Sequence, residues 1–160
     1  MNHPNVTLLD AIQLAMAAEQ KAAAFYAAAA QKADNPMGRQ LFEQLADFER
    51  YHYANLADLD QSLRDDGAYV PYAGRELSLS APAEVSAEEV HAKELVDIIT
   101  VALNAEQEAR ERYTALAEQT TDPDGKEMFE RLAAEEQVHY RILNDEYYHL
   151  NNHGKWVWAE

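Results

Sequence analysis

The chain has 160 residues, of which 48% are hydrophobic and 26% are charged, so it is long enough for one domain with a sizeable core. Acidic residues outnumber basic ones 29 to 13, and the net charge of −16 argues against binding to nucleic acid or to a membrane surface. The chain contains no cysteine, which excludes disulfides, a thiolate nucleophile and cysteine-ligated zinc or iron–sulfur centres on it. With no signal-peptide pattern and no apolar run of membrane-spanning length, the sequence predicts a cytoplasmic protein.

Four long helices are predicted, because apolar residues recur at three- and four-residue steps between clusters of glycine and proline. Two short turns, each with the pattern Pro-x-Gly, separate the first helix from the second and the third from the fourth. A longer polar connection, about residues 65–87, lies between the two pairs. Ser86 followed by Glu89 resembles a capping box and predicts that the third helix begins there.

The sequence matches itself when it is shifted by 87 residues. The segment LFEQLADFERYHYANL, which begins at Leu41, lies over MFERLAAEEQVHYRIL, which begins at Met128, with eight of sixteen positions identical. We therefore predict one domain, residues 1–160, that contains two copies of a helical hairpin. Its parts are the first repeat, about 7–64, the crossover, about 65–87, the second repeat, about 88–149, and a C-terminal tail, 150–160.

Two related hairpins pack most readily about a pseudo-two-fold axis. Such an axis, perpendicular to the bundle, makes the third helix antiparallel to the first, so the connection between the hairpins must run the length of the bundle. Its roughly twenty residues can span that distance when extended. The sequence thus predicts an all-α four-helix bundle with one long crossover connection.

Six residues with metal-ligand chemistry recur at the 87-residue offset: Glu19, Glu49, His52, Glu106, Glu136 and His139. In the second and fourth helices the Glu and His are three residues apart, so they share a face with the core leucines. The glutamates of the first and third helices lie at the same distance from the turns as these histidines. The pseudo-two-fold axis therefore brings four carboxylates and two imidazoles together in the middle of the bundle.

Four buried carboxylates repel one another unless positive charge compensates them, and no Lys or Arg lies near them on that face. Two divalent cations balance the charge, and a set of oxygen and imidazole ligands without thiolate suits iron or manganese and also accepts zinc or cobalt. We therefore predict two metal ions. A metal-free interaction bundle is the alternative, which the charge argument disfavours. Two further Glu-x-x-His pairs, Glu88–His91 and Glu146–His149, have no repeat partner and are predicted to be solvated.

Two Glu helices combined with two Glu-x-x-His helices resemble the ferritin-like di-iron carboxylate superfamily. The segment Glu106-Gln-Glu-Ala-Arg-Glu-Arg-Tyr113, together with Glu19 and Tyr26, resembles its rubrerythrin branch. The resemblance implies a ferritin-like fold, the six residues above as ligands of iron, and hydrogen bonds from Tyr26 and Tyr113 to ligand carboxylates. The other interpretation of these tyrosines is core packing with a satisfied hydroxyl.

The sequence departs from rubrerythrins in two respects. Typical rubrerythrins end in a four-cysteine rubredoxin module that delivers electrons, and this chain has no cysteine. They also carry an extra glutamate three residues after the third-helix ligand, where this chain has Ala109, with Ala22 as the repeat counterpart. Electrons must then come from an external donor, and any redox-linked ligand exchange must use another group, such as Glu135 or Glu108.

The resemblance implies an oxidoreductase that reduces peroxide or O₂ and acts in oxidative stress. The alternative is a protein that oxidises, stores or passes on iron at the same centre, towards which an acidic surface would steer Fe²⁺. The expected partners are therefore peroxide, O₂, Fe²⁺ and an electron donor.

Five tyrosines exceed what one core needs and favour a homodimer or higher homo-oligomer: Tyr51, Tyr53, Tyr140, Tyr147 and Tyr148. The tail with Trp156 and Trp158 either folds back on the bundle or crosses to a neighbouring chain, and the sequence leaves both open.

Overall fold

The computed structural model describes residues 4–80 and 86–157. Within these ranges the chain forms four helices: α1 (Pro4–Lys32), α2 (Pro36–Asp66), α3 (Ala92–Gln119) and α4 (Pro123–His153). Helix α1 packs along α2, α3 packs along α4, and α1 also contacts α3. Apart from an isolated bridge between Glu88 and Lys155, the described ranges contain no strand pairing. The predicted all-α four-helix bundle is confirmed.

The second helix of each repeat has the same kind of N-cap and the same kind of C-cap. Asn35 precedes α2 and Asp122 precedes α4, and each side chain accepts a hydrogen bond from the amide two residues later, at 2.8 and 2.9 Å. A proline then occupies the first turn, where a missing N–H costs nothing. The helices end at Gly67 and Gly154, whose φ angles of 65° and 66° place them in the left-handed region that glycine adopts without strain.

Two apolar clusters fill the bundle, one towards each end. The first, here called the Trp156 cluster, includes Tyr26, Phe42, Leu45, Leu95, Ile99, Leu143 and Trp156. The second, here called the Phe129 cluster, includes Ile12, Leu56, Leu59, Tyr113, Met128, Phe129 and Leu132. Helix α1 runs from the Phe129 cluster to the Trp156 cluster and α3 runs the opposite way, so the two are antiparallel and the crossover spans the bundle. None of the described helices combines the length and apolar character that membrane crossing requires.

The start of α3 differs from the capping-box prediction. The helix begins at Ala92, six residues after Ser86. The Glu89 carboxylate instead accepts hydrogen bonds from the backbone amide of Asn35 at 3.0 Å and from Trp156 Nε1 at 3.2 Å. The prediction was wrong because this buried carboxylate joins the tip of the first hairpin to the tail.

The C-terminal tail folds back on its own bundle. Trp156 is fully buried, packs edge-on against Phe42 with ring centroids 5.9 Å apart, and donates its backbone N–H to the carbonyl of Ala87 at 2.9 Å. A Cβ atom at position 38 would lie 2.2 Å from the Trp156 ring, so the close approach requires Gly38. Trp158 lies outside the described residues.

The position of the tail shows that one prediction from the sequence was wrong. Glu146, predicted to be solvated, is 1% exposed, and its Oε1 accepts the backbone N–H of Val157 at 2.8 Å. The glutamate is buried because the returning tail covers it. In the other Glu-x-x-His pair that has no repeat partner, Glu88 is exposed and His91 is partly exposed.

Candidate metal centre

The six predicted ligands lie together in a polar layer between the Trp156 cluster and the Phe129 cluster. Each of them is at most 2% exposed. Their ligand atoms form two groups, each with all atoms within 4.8 Å of one another: Glu19, Glu49, His52 and Glu136 in one, and Glu49, Glu106, Glu136 and His139 in the other. Each group thus has its own carboxylate and imidazole, and the two groups share two carboxylates.

The shared carboxylates lie between the two imidazoles. Oε1 of Glu136 is 3.4 Å from Nδ1 of His52 and 3.4 Å from Nδ1 of His139. Oε1 of Glu49 is 3.8 and 3.6 Å from the same two nitrogens. Glu49 and Glu136 are therefore placed so that both would help to hold two metal ions, with His52 holding one and His139 the other.

Several of these atoms lack hydrogen-bond partners among the described residues. They are Oε1 of Glu49, Oε2 of Glu106, both carboxylate oxygens of Glu136 and Nδ1 of His139, and all are buried. A buried polar atom without a partner costs roughly 1–3 kcal/mol, more when it is charged. Two divalent cations would satisfy these atoms and balance the four carboxylates, so the residues present fit a dinuclear metal site.

The pKa values of the cluster reflect the same crowding. Burial raises the pKa of Glu136 to about 7, and the nearby Glu106 and Glu19 carboxylates add to the effect. Burial, followed by repulsion from Glu136, also raises the pKa of Glu49 well above its usual value. Burial alone would lower the pKa of His139, but the carboxylates of Glu106 and Glu136 raise it to about 9. Without metal the cluster therefore holds protons, which metal binding must displace.

The two tyrosines join the repeats crosswise. Tyr26 of the first repeat donates its hydroxyl to Oε1 of Glu106 at 2.6 Å, and Tyr113 of the second donates to Oε1 of Glu19 at 2.9 Å. Burial and the neighbouring carboxylates raise the pKa of both tyrosines well above the usual value, so both remain donors. Each bond leaves the second oxygen of its carboxylate for another partner.

Glu135 holds His52 from the side opposite the cluster. Its Oε1 lies 2.8 Å from Nε2 of His52 and accepts the hydroxyl of Tyr72 at 2.5 Å, while its Oε2 accepts the backbone N–H of Arg75 at 2.7 Å. Burial raises the pKa of Glu135, but these three donors outweigh it and lower the pKa below the usual value. An anionic carboxylate next to Nε2 favours a proton on that nitrogen, and Nδ1 faces the cluster, 3.1 Å from Oε2 of Glu19.

The sequence indicated Glu135 only as a possible substitute in ligand exchange, and its contact with Nε2 of His52 was not predicted. Its counterpart at the 87-residue offset is Phe48, so a comparison that kept only matching positions passed over it. The Phe48 ring lies edge-on to His139, with centroids 4.4 Å apart. A phenyl ring cannot accept the proton of an imidazole as a carboxylate does. The available signal was the mismatch itself, a charged residue in one repeat and an aromatic one in the other, next to a predicted ligand.

A four-helix bundle with a buried cluster of four carboxylates and two histidines, arranged around two adjacent positions, defines a candidate dinuclear metal protein. The family model for rubrerythrin matches residues 4–74 and 97–157. The chain belongs to the rubrerythrin family, which confirms the resemblance seen in the sequence.

One solved structure with the same fold is that of a hypothetical protein from Pyrococcus furiosus. It is 30% identical to this chain with a TM-score of 0.72, and the match covers 91% of this chain and 90% of that one. A comparison with curated proteins finds no match.

Proposed function

We propose that the protein binds two iron ions at the six-residue cluster and reduces peroxide or O₂ with electrons from an external donor. The observation that carries the proposal is the pair of four-residue groups that share Glu49 and Glu136. Oxygen and imidazole ligands without thiolate suit iron, although they also accept manganese and zinc. Reduction of hydrogen peroxide adds two electrons and two protons and yields two water molecules, and bound iron supplies the one-electron chemistry for it.

The residues of the cluster divide the work of holding the ions. Glu49 and Glu136 would help to hold both ions, Glu19 and His52 would hold one of them, and Glu106 and His139 would hold the other. The tyrosine hydrogen bonds fix the orientation of the two unshared carboxylates. The apolar clusters on both sides lower the effective dielectric constant around the charged layer, which strengthens the electrostatic interactions inside it.

The reducing electrons must reach the cluster from outside the chain. Without cysteine, the chain cannot carry a thiolate-ligated iron module of its own. We therefore include a separate electron-donor protein in the proposal.

An anaerobic titration with Fe²⁺, followed by addition of H₂O₂ and monitored optically, tests the proposal. We expect two iron ions per chain and consumption of about one H₂O₂ per two Fe²⁺. The Glu136→Ala variant should lose both, while Glu130→Ala, an exposed glutamate of the same helix, should retain both. Iron uptake far beyond two per chain would support iron storage instead. The absence of iron binding, or binding unchanged in Glu136→Ala, would overturn the proposed site.

A further inference from the structure

A cavity of about 420 Å³ opens between α1 and α3 and reaches the proposed metal centre. Its lining includes four of the predicted ligands: Glu19, Glu49, Glu106 and Glu136. A molecule the size of water occupies roughly 30 Å³, so hydrogen peroxide needs only a small part of this space. The volume falls within the range of about 300–1,000 Å³ that is usual for sites of small organic molecules.

The walls of the cavity are mainly apolar and small. Ala22 and Ala109 lie three residues after Glu19 and Glu106 respectively, and both line the cavity. Because the side chains of Ala22 and Ala109 are short, they leave space open beside the ligands. Other apolar lining residues include Ala18, Phe25, Val101 and Ala105.

The cavity also carries positive charge, in a chain where acidic residues predominate. Arg112 lines it, and Nη1 of Arg112 is buried without a hydrogen-bond partner among the described residues. Lys21 also lines this cavity. Besides the predicted ligands, the lining contains one further carboxylate, that of Glu108. A guanidinium matches a carboxylate in geometry and charge, so the buried Nη1 of Arg112 indicates an anionic ligand.

We propose that this cavity binds a small organic acid, with its carboxylate on Arg112 and its apolar body between Ala22 and Ala109. Two divalent cations at the cluster would neutralise the four glutamates, so the floor would not repel the acid. The apolar walls favour a short hydrocarbon chain over a polar body.

The substrate follows from the proposed function, on which this part of the proposal rests. It is an organic acid of this kind that carries a hydroperoxide group on its hydrocarbon chain and keeps its carboxylate free. Its reduction breaks the O–O bond. Two electrons from the external donor and two protons convert the hydroperoxide into the corresponding alcohol and water. Arg112 takes no part in this chemistry and positions the substrate through its carboxylate.

Binding can be measured without turnover on protein loaded with redox-inert Zn²⁺. Calorimetric titration with hexanoate should show one saturable site per chain, and hexan-1-ol, which lacks the charge, should bind at least about tenfold more weakly. Arg112→Gln should weaken hexanoate binding by about tenfold. Arg110→Gln is the matched control, because Arg110 lies on the same helix, bonds Gln107 and does not line the cavity.

A second pair of variants tests the space itself. Ala22→Phe should abolish hexanoate binding by filling the cavity, with two Zn²⁺ still bound per chain, while Ala24→Phe, at an exposed position off the lining, should have no effect. Hexanoate binding unchanged in both Ala22→Phe and Arg112→Gln would overturn the proposal, because the acid would then be an ordinary ligand of the metal.

The substrate class is tested with iron-loaded protein and two hydroperoxides. 6-Hydroperoxyhexanoic acid, which keeps a free carboxylate, should have a higher kcat/KM than neutral tert-butyl hydroperoxide. Arg112→Gln should remove this preference. Equal values in the unaltered protein would overturn the substrate class.

The two proposals fail in different ways. Consumption of H₂O₂ without Arg112-dependent hexanoate binding overturns the organic-acid site and leaves the proposed function intact. Arg112-dependent hexanoate binding by protein that consumes no peroxide supports the site and overturns the function.

Discussion

The half of the cluster around His52 and the half around His139 have equivalent candidate ligands but different surroundings. Each half has one unshared glutamate, held by a tyrosine of the opposite repeat. Behind His52 lies the carboxylate of Glu135, whereas Phe48, the residue at the equivalent sequence position, packs its ring edge-on against both imidazoles and offers His139 no carboxylate. The duplication thus kept the groups that face the proposed metal ions and let the groups behind them diverge.

The difference has a direct consequence for metal affinity. A carboxylate that accepts the far N–H of an imidazole fixes its tautomer and makes the near nitrogen a stronger donor. Tyr72 and Arg75 hold Glu135 in place, so the carboxylate is already oriented before any ion arrives. We therefore expect the His52 half to bind its ion more tightly than the His139 half.

The largest loss of metal affinity is expected from a variant that changes both halves at once. Glu136 belongs to both four-residue groups, so Glu136→Ala should weaken Co²⁺ binding in both halves, with more than about 100-fold loss of affinity. Spectroscopic titration with Co²⁺ measures both steps. Retention of one tight step would mean that the two positions do not share this carboxylate.

The pH dependence of the metal-free protein tests the bound proton of His139. Burial would lower the pKa of His52 as well, but Glu135 and Glu19 raise it well above its ordinary value, so His52 changes the stability in the same direction. The pKa of His139 is about 9 in the folded protein against an ordinary 6.5, so its contribution to stability is present below pH 6.5 and is lost as the pH rises to about 9. We expect the unfolding free energy to fall by on the order of 3 kcal/mol over this range, and less in His139→Gln. Thermal melts with a chelator measure it, and His153→Gln, at an exposed position, is the control.

Bound Zn²⁺ should oppose the fall in the unfolding free energy as the pH rises. Metal binding requires deprotonated ligands, so the stabilisation by Zn²⁺ should grow as the pH rises. A metal-free protein whose melting temperature is constant between pH 6.5 and 9 would contradict the assignment of a bound proton to His139.

A smaller and more selective effect is expected from Glu135→Gln. The amide is close to the carboxylate in size but carries no charge, so the affinity of the His52 half should fall by about 10- to 100-fold while the other half keeps its affinity. Stepwise calorimetric titration with Zn²⁺ separates the two. Equal weakening of both steps would show that Glu135 does not distinguish the halves. Glu130→Gln, on the surface of the same helix, serves as the control.

The smallest effects should come from the two tyrosines, and they should be crossed. Tyr26→Phe removes the hydrogen bond to Glu106 and should weaken the His139 half, while Tyr113→Phe should weaken the His52 half. Each loss is that of one bond to a charged acceptor, about tenfold in affinity. The same titrations apply, and a tyrosine variant that weakens the half of its own repeat would contradict the crosswise arrangement.

The comparison also explains which parts could be predicted from the sequence. Helical periodicity and the 87-residue repeat indicate the bundle, because both express regular local geometry. The six clustered residues could be found because the duplication kept them at matched positions, such as Glu49 and Glu136. The same rule could not find Glu135, which occurs once and depends on the path of the crossover through Tyr72 and Arg75.

The incorrect predictions have a similar physical origin. Glu146 has the pattern of a solvated helix residue, but the tail returns over it through the amide of Val157. Glu89 has the spacing of a helix cap, but its carboxylate binds the amide of Asn35 and the indole of Trp156. In both cases a segment distant in sequence determines the environment of a carboxylate, and local patterns do not contain that information.

The attachment of the crossover to Glu135 has a consequence for how a fused repeat can evolve. Two separate, identical hairpins related by exact symmetry must present identical environments to both bound ions. Fusion into one chain adds a joining segment that no symmetry operation duplicates, and Tyr72 and Arg75 belong to that segment. In this molecule the linker that joins the two hairpins into one chain also allows the surroundings of one candidate metal position to differ from those of the other.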